Sequence, residues 1–181
     1  MPKMIPELRE QFIAAARQRL VYREEHDLTI RQIADDCRTG VGTVYNYFSS
    51  KDILIAEVLS DDWQRTRDVV EAKLFTSGSP VQDIQTVYEG LCLFLEKYQP
   101  TIDNYCEIPT NIRTRNLYHS MLIEPIGTLM KSILHCYSLN VEPYTDVALS
   151  EILVAMATHK KEQFAMIRPI LCRILGIPAN R

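Results

Sequence analysis

The chain has 181 residues, 46% of them hydrophobic and 24% charged, with a formal net charge of −3; that is a globular protein able to bury a core in one domain, or in a small domain fused to a larger one. Its five cysteines, at 37, 92, 106, 136 and 172, are odd in number and widely spaced, which excludes a disulfide framework or a zinc-ligand set and suits a reducing cytoplasm. The N-terminus MPKMIPELREQ is charged where a signal peptide needs an apolar run, and no stretch of about eighteen uncharged apolar residues occurs, so a cytoplasmic location without a membrane is expected.

A first helix is predicted over about Glu7 to Glu25, with Leu8, Phe12, Ala15, Ala16 and Leu20 along one face. The most informative stretch follows, LTIRQIADDCRTGVGTVYNYF from Leu28 to Phe48. Thr29 with Gln32 three residues on is the pairing in which hydroxyl and amide each satisfy an orphan backbone donor, so a second helix starts at Ile30. Ile30, Ile33, Ala34 and Cys37 give it an apolar face, Arg31, Asp35 and Asp36 point to water, and it ends near Arg38. Gly40 and Gly42 bracket the entry to a third helix, in which Val41, Val44 and Phe48 lie against the second. The opposite face carries Thr43, Tyr45, Asn46 and Tyr47. Small or hydroxylated residues at a helix N-terminus approach phosphates and base edges closely, as a reader of the major groove must.

Thr29, Ile33 with Ala34, Gly42 with Thr43 and Tyr45, Phe48, and Lys51 stand at the offsets of a known family: over about its first 60 residues the chain resembles the TetR family of one-component bacterial transcription regulators. The resemblance implies that Thr29, Thr43, Tyr45, Tyr47 and Lys51 touch the DNA backbone while the exposed start of the third helix faces bases; Arg38, Gly42 and Asn46 complete the expected DNA-binding set. Three positions depart from the family pattern. Arg38 replaces the turn glycine, Gly40 the capping Ser, and Tyr47 the common His. Gly40 still caps, with a little less stability, whereas Arg38 either gives the turn another geometry or adds a phosphate contact. Residues 1 to 51 hold eight Lys or Arg and seven Asp or Glu, net +1 against −4 for the remainder, so affinity rests on dimerisation and a few positioned contacts.

Ser49 or Ser50 caps a fourth helix containing Ile53, Leu54, Val58, Leu59, Trp63 and Val70. The segment TSGSP at 76–80 is the clearest breaker, with Ser79 as N-cap, Pro80 at the first helical position and Gln82 closing a capping box. A fifth helix starts there and stops before Pro100. Thr101 to Ile108 forms a short sixth ended by Pro109, and Ile112 to Tyr137 a long seventh kinked at Pro125, which removes a bond to Met121. Two final helices lie near Tyr144 to Thr158 and Glu162 to Leu175. The expected fold is all-α, with an N-terminal three-helix helix-turn-helix domain (1–50) joined to a C-terminal helical ligand-binding and dimerisation domain (51–181).

Along the fifth helix Ile84, Tyr88, Leu91, Leu95 and Tyr98 share a stripe with Cys92 beside it, and Tyr118, Leu122 and Ile126 share one on the seventh. Apolar residues with a few phenols and a histidine are the usual lining of a ligand site between helices, and also ordinary core. The expected effector residues are Trp63, Tyr88, Leu91, Cys92, Leu95, Tyr105, Tyr118, His119 and Leu122. The run VALSEILVAMAT, from Val147 to Thr158, is apolar nearly all round and needs cover on more than one side, from a partner subunit or from its own domain. In the family resembled the last two helices form a four-helix dimer interface, which implies Ile152, Leu153, Met156, Phe164, Ile167 and Leu171 here.

Catalytic signatures fail: GxSxG, GxxxxGK and HExxH do not occur, and the four histidines, 26, 119, 135 and 159, form no metal constellation. The chain is expected to be no enzyme and to need no cofactor or metal. Its expected partners are double-stranded operator DNA, a small-molecule effector and a second copy of itself, in a repressor released by that effector. A TetR-like coactivator or adaptor acting through protein contacts, with weak DNA binding of its own, is the alternative that Arg38, Gly40 and the low charge suggest.

Overall fold

The structure, a computed structural model, describes residues 6–22, 28–106, 119–158 and 164–178. All regular structure among them is helical: α1 (Pro6–Tyr22), α2 (Ile30–Asp36), α3 (Val41–Tyr47), α4 (Lys51–Glu71), α5 (Pro80–Cys106), α6 (Glu124–Cys136), α7 (Thr145–Thr158) and α8 (Phe164–Ile174), with a π-helical turn at His119–Ile123 ahead of α6. The all-α class, a helix-turn-helix followed by a helical C-terminal domain, is as the sequence leads one to expect. By compactness the chain divides into Met1–Asp62 with Lys97–Glu107, and Trp63–Glu96 with Ile108–Arg181. α4 and α5 each contribute residues to both units.

In the N-terminal unit α2 packs on α1 and α3. Helices of seven residues are too short to be stable alone, so caps and burial hold them. At the start of α2 the Thr29 hydroxyl accepts from the Gln32 N–H at 3.3 Å, and the Thr29 N–H donates to the Gln32 side chain at 2.8 Å. Phe12 of α1 is completely buried, with its ring edge-on to Phe48 and Tyr47 at 6.4 and 5.5 Å. Ile33, Val44 and Leu54 in the same unit are completely buried too. Full burial of each such side chain contributes about 1.5–3 kcal/mol. Arg19 grips Asp36 with two parallel bonds of 2.5 and 2.7 Å, pinning the end of α2 to α1. Ser50 is the residue that caps α4, accepting from the Ile53 N–H at 3.2 Å.

In the C-terminal unit α5 begins at Pro80 as expected. The loop before it is gathered by Asp83 rather than by a Ser79–Gln82 box: its buried carboxylate accepts from the Phe75 N–H at 3.1 Å, the Ser77 hydroxyl at 3.2 Å and the Tyr137 hydroxyl at 2.8 Å. Burial and that bond to Asp83 push the Tyr137 phenol up to about 12. The proline at 100 does not end α5, which runs unbroken to Cys106; the fifth and sixth predicted helices are one. Tyr98 and Thr101, before and after it along the helix, are buried, and tertiary packing outweighs a lost hydrogen bond. Pro125 does disturb its helix: having no N–H for the carbonyl of Met121, it follows directly on the π-helical turn. α6 packs on α7, where Gly127 meets the Ser150 hydroxyl, 3.5 Å from where its Cβ would stand. No helix among the described residues is long and apolar enough to cross a membrane.

Gly90 sets the approach of α4 to α5. A Cβ there would lie 2.4 Å from Val70 Cγ2, and Val70 is buried and stiff at χ1. Gly90→Ala should therefore cost about 1–3 kcal/mol in thermal or chemical unfolding. Combined with Val70→Ala it should cost less than the sum of the two single changes; a simple sum would show that the clash is relieved elsewhere.

Candidate functional site

The reader is built on the turn between α2 and α3. Arg38 takes the left-handed conformation, φ +52°, that favours glycine. Its N–H donates to the Asp35 carbonyl at 3.1 Å and the Thr39 N–H to the Ala34 carbonyl at 2.8 Å, the paired bonds of a Schellman stop. Of the two expectations for Arg38, a different turn geometry is therefore set aside: the backbone goes where glycine would go, at a cost of about 1–2 kcal/mol. The Arg38 side chain remains exposed. Gly40 caps α3 with extended backbone, φ −81° and ψ 148°, and no side-chain bond.

α3 buries Val44 and turns Gly42, Tyr45 and Asn46 outward, with Tyr45 51% exposed. Thr43 and Tyr47 are half-buried, the latter against Phe12. Thr29 is exposed and occupied by its capping box, and Lys51 is half-buried in the first turn of α4. All eight expected DNA-binding residues thus lie in the N-terminal unit. Val41 corrects the sequence reading: expected against α2, it is exposed one turn before Tyr45, because only Val44 and Phe48 reach the core formed with Phe12. An apolar side chain at that point suits a thymine methyl, a signal hidden by reading Val41 as part of an apolar stripe.

Behind the reader, in the same unit, Asp62 of α4 is buried among cations. It accepts from Arg17 Nε at 2.6 Å, Lys97 Nζ at 2.5 Å and the Tyr98 hydroxyl at 2.5 Å, while Arg17 also reaches Asp61. Burial alone would raise the Asp62 carboxyl, but the bonds from Lys97 and Tyr98 and the Arg17 charge together hold it below its ordinary value. Burial and Asp62 drive the Tyr98 phenol well up. No local pattern points to this cluster, since Arg17, Lys97 and Tyr98 lie 35 to 45 residues from Asp62 along the chain.

Of the expected effector residues, Trp63, Tyr88, Leu91 and Leu95 are buried and Cys92 is half-buried in the C-terminal unit, as is buried Leu122. The Trp63 ring lies 5.3 Å from Phe94, and that of Tyr88 lies 5.6 Å from Phe164. Burial pushes the Cys92 thiol up against a hydrogen bond with Tyr88. Tyr118 and the side chains of Tyr105 and His119 lie outside the described residues. Of the residues expected at a dimer interface, Leu153, Met156, Phe164, Ile167 and Leu171 are buried by their own chain, and only Ile152 is exposed. No group of three His, Cys, Asp or Glu among the described residues is placed to hold a metal.

A helix-turn-helix with an exposed third-helix face is the arrangement by which a DNA reader enters the major groove. Residues 12–58 match the family of bacterial regulatory proteins, tetR family. Over nearly its whole length the chain shares its fold with several solved structures. RolR without ligand is 17% identical with a TM-score of 0.70, covering 94% of this chain and 91% of its own. The multidrug binding protein EbrR, complexed with imidazole, is 20% identical with a TM-score of 0.69, covering 98% and 99%. SCO7518 of Streptomyces coelicolor A3(2), a transcriptional regulator by its description, is 17% identical with a TM-score of 0.65, covering 94% and 99%. No curated protein matches the sequence significantly. Residues 12–58 are thus similar to the DNA-binding segment of tetR-family regulatory proteins, on a chain whose overall fold is that of the solved structures above.

The Asp62 cluster makes stability depend on pH at both ends. Asp62 is held low, so its contribution is complete above the ordinary carboxylate range and is lost as pH falls through that range to its own lower value. Tyr98 is held high, so its contribution is complete below the ordinary phenol value and is lost as pH rises past it. Thermal unfolding across pH should show both limbs. Tyr98→Phe should cost about 1.5–3 kcal/mol at neutral pH and flatten the alkaline limb; an unchanged alkaline limb would place its origin elsewhere.

Proposed function

We propose that the chain is a homodimeric repressor that binds operator DNA through residues 1–50 and is released by a small molecule held in residues 51–181. The observation that carries the DNA-binding half is the outward face of α3, with Gly42, Tyr45 and Asn46 exposed beside a turn whose Arg38 points to solvent. In this reading Arg38, Thr43, Tyr45 and Lys51 contact phosphates, and the start of α3, Val41 included, faces bases. Lys51, in the first turn of α4, adds its charge to the positive end of that helix. The adaptor alternative drew on Arg38, Gly40 and the low N-terminal charge; Arg38 in the glycine conformation and Gly40 at the cap of α3 support the DNA-binding reading over it, while the low charge still favours the adaptor.

The effector half draws support from similar folds, since RolR has also been solved in complex with resorcinol and EbrR with imidazole. Effector binding would favour one of two arrangements of the C-terminal helices and so change the spacing of two readers.

Two experiments test this reading. Arg38→Gly removes both backbone strain and a side-chain cation. It should raise stability by about 1 kcal/mol while weakening binding to DNA from upstream of its own gene and lowering the salt slope by about one. Higher stability with unchanged affinity would make Arg38 a turn residue only, and wild-type affinity no better than nonspecific would sink the repressor reading.

The dimer face we assign to the exposed stripe of α8, Met166, Ile170 and Ile174, each one turn from the next, with Val147 and Ile152 of α7. Ile170→Glu, which touches no buried position, should give a folded monomer by light scattering. An unchanged dimer mass would move the interface off this stripe.

A further inference from the structure

Among the described residues three buried side-chain polar atoms have no hydrogen-bond partner, and two of them are donors on one face of α4 in the C-terminal unit: the indole Nε1–H of Trp63 and the Nε–H of Arg67, one helical turn on. Trp63 is 3% exposed, and its ring leans on Phe94 of α5. Arg67 Nε stands 3.1 Å from a carboxylate oxygen of Glu71 without the alignment of a hydrogen bond, and Glu71 is itself half in water. Native interiors seldom leave donors unmet, because each keeps the full cost of its lost hydration. Two on adjacent turns, one neutral and one cationic, are satisfied together by a single acceptor group with two oxygens and a negative charge. The Trp63 ring lies against buried Phe94, and Leu91 and Leu95 are buried on the same helix as Phe94.

We propose that the effector is a hydrophobic carboxylate, whose head takes the Trp63 indole N–H and the Arg67 guanidinium while its apolar body lies along the α5 residues. Glu71, on the surface, gives up its approach to Arg67 when the carboxylate arrives. The proposal rests on the effector reading above and specifies the chemistry of that site.

Trp63 is the single tryptophan of the chain, so its fluorescence reports the site directly. A buried indole without a hydrogen bond emits at short wavelength, and an acceptor on Nε1–H moves the emission to the red. The full-length dimer is titrated with decanoate and 3-phenylpropanoate, and in parallel with their methyl esters, following Trp63 emission and melting temperature. The carboxylates should bind at least tenfold tighter than the esters, shift the emission to the red and raise the melting temperature.

Trp63→Phe keeps a ring and deletes the donor. It should keep the chain folded, because the ring is retained and an unmet donor is removed, yet weaken carboxylate binding about tenfold by thermal shift. Arg67→Gln, a second and more exposed position, should weaken it similarly and abolish the preference over the ester. Esters that bind as tightly as the acids, with Arg67→Gln indifferent, overturn the proposal and leave the effector reading standing. A Trp63→Phe variant that loses stability but not carboxylate affinity shows the indole to be plain core and overturns it too. If neither acids nor esters bind, the proposal fails, and the effector reading then rests on ligands of other chemistry, checked by release of DNA.

Discussion

The turn and the outward face of α3 depend on two helices of seven residues, and a helix of that length has too few hydrogen bonds to offset the cost of starting it. Every other feature of the N-terminal unit answers that deficit. The Thr29 box meets two orphan donors at the start of α2, and the Schellman stop at Arg38 meets two carbonyls at its end. Phe12, Val44 and Phe48 supply the burial that propensity does not. Arg19 on Asp36 fixes the angle at which α2 leaves α1. The outward face of α3 is thus rigid because its inward face has no slack.

Asp62 belongs to a different kind of support. Hydrophobic burial is indifferent to small rotations, whereas a carboxylate met by Arg17, Lys97 and Tyr98 accepts only one arrangement of α1, α4 and the end of α5. Such clusters contribute little net stability once desolvation is counted, and their removal one member at a time is costly. Their effect is to make an arrangement discrete. A regulator whose reader must be either placed or misplaced, not smeared between the two, is served by that property.

α4 and α5 carry the same contrast in the C-terminal unit. At Gly90 the two helices touch with no room for a methyl group, while near Trp63 and Arg67 the packing leaves donors unmet.

The helices of the helix-turn-helix were legible along the chain. Capping, the apolar spacing of α2, the start of α5 and the disturbance at Pro125 are all local events, set by residues within one or two turns of each other. The TetR resemblance was legible for the same reason. It failed where a non-local term decided the outcome: the proline at 100 reads as a stop, yet Tyr98 and Thr101 have buried positions that keep α5 whole. Val41 reads as core by its spacing, but the core with Phe12 admits only Val44 and Phe48. The run from Val147 to Thr158 shows that cover is needed without saying from where; the structure buries Leu153 and Met156 within the chain and leaves Val147 and Ile152 outside. Arg38 lies between the two cases, since its place after α2 is readable and its left-handed backbone is not. The Asp62 cluster and the unmet donors of α4 belong wholly to the tertiary structure, because pairing across 35 or more residues and the absence of a partner are properties of what surrounds a side chain, which no periodicity along the chain encodes.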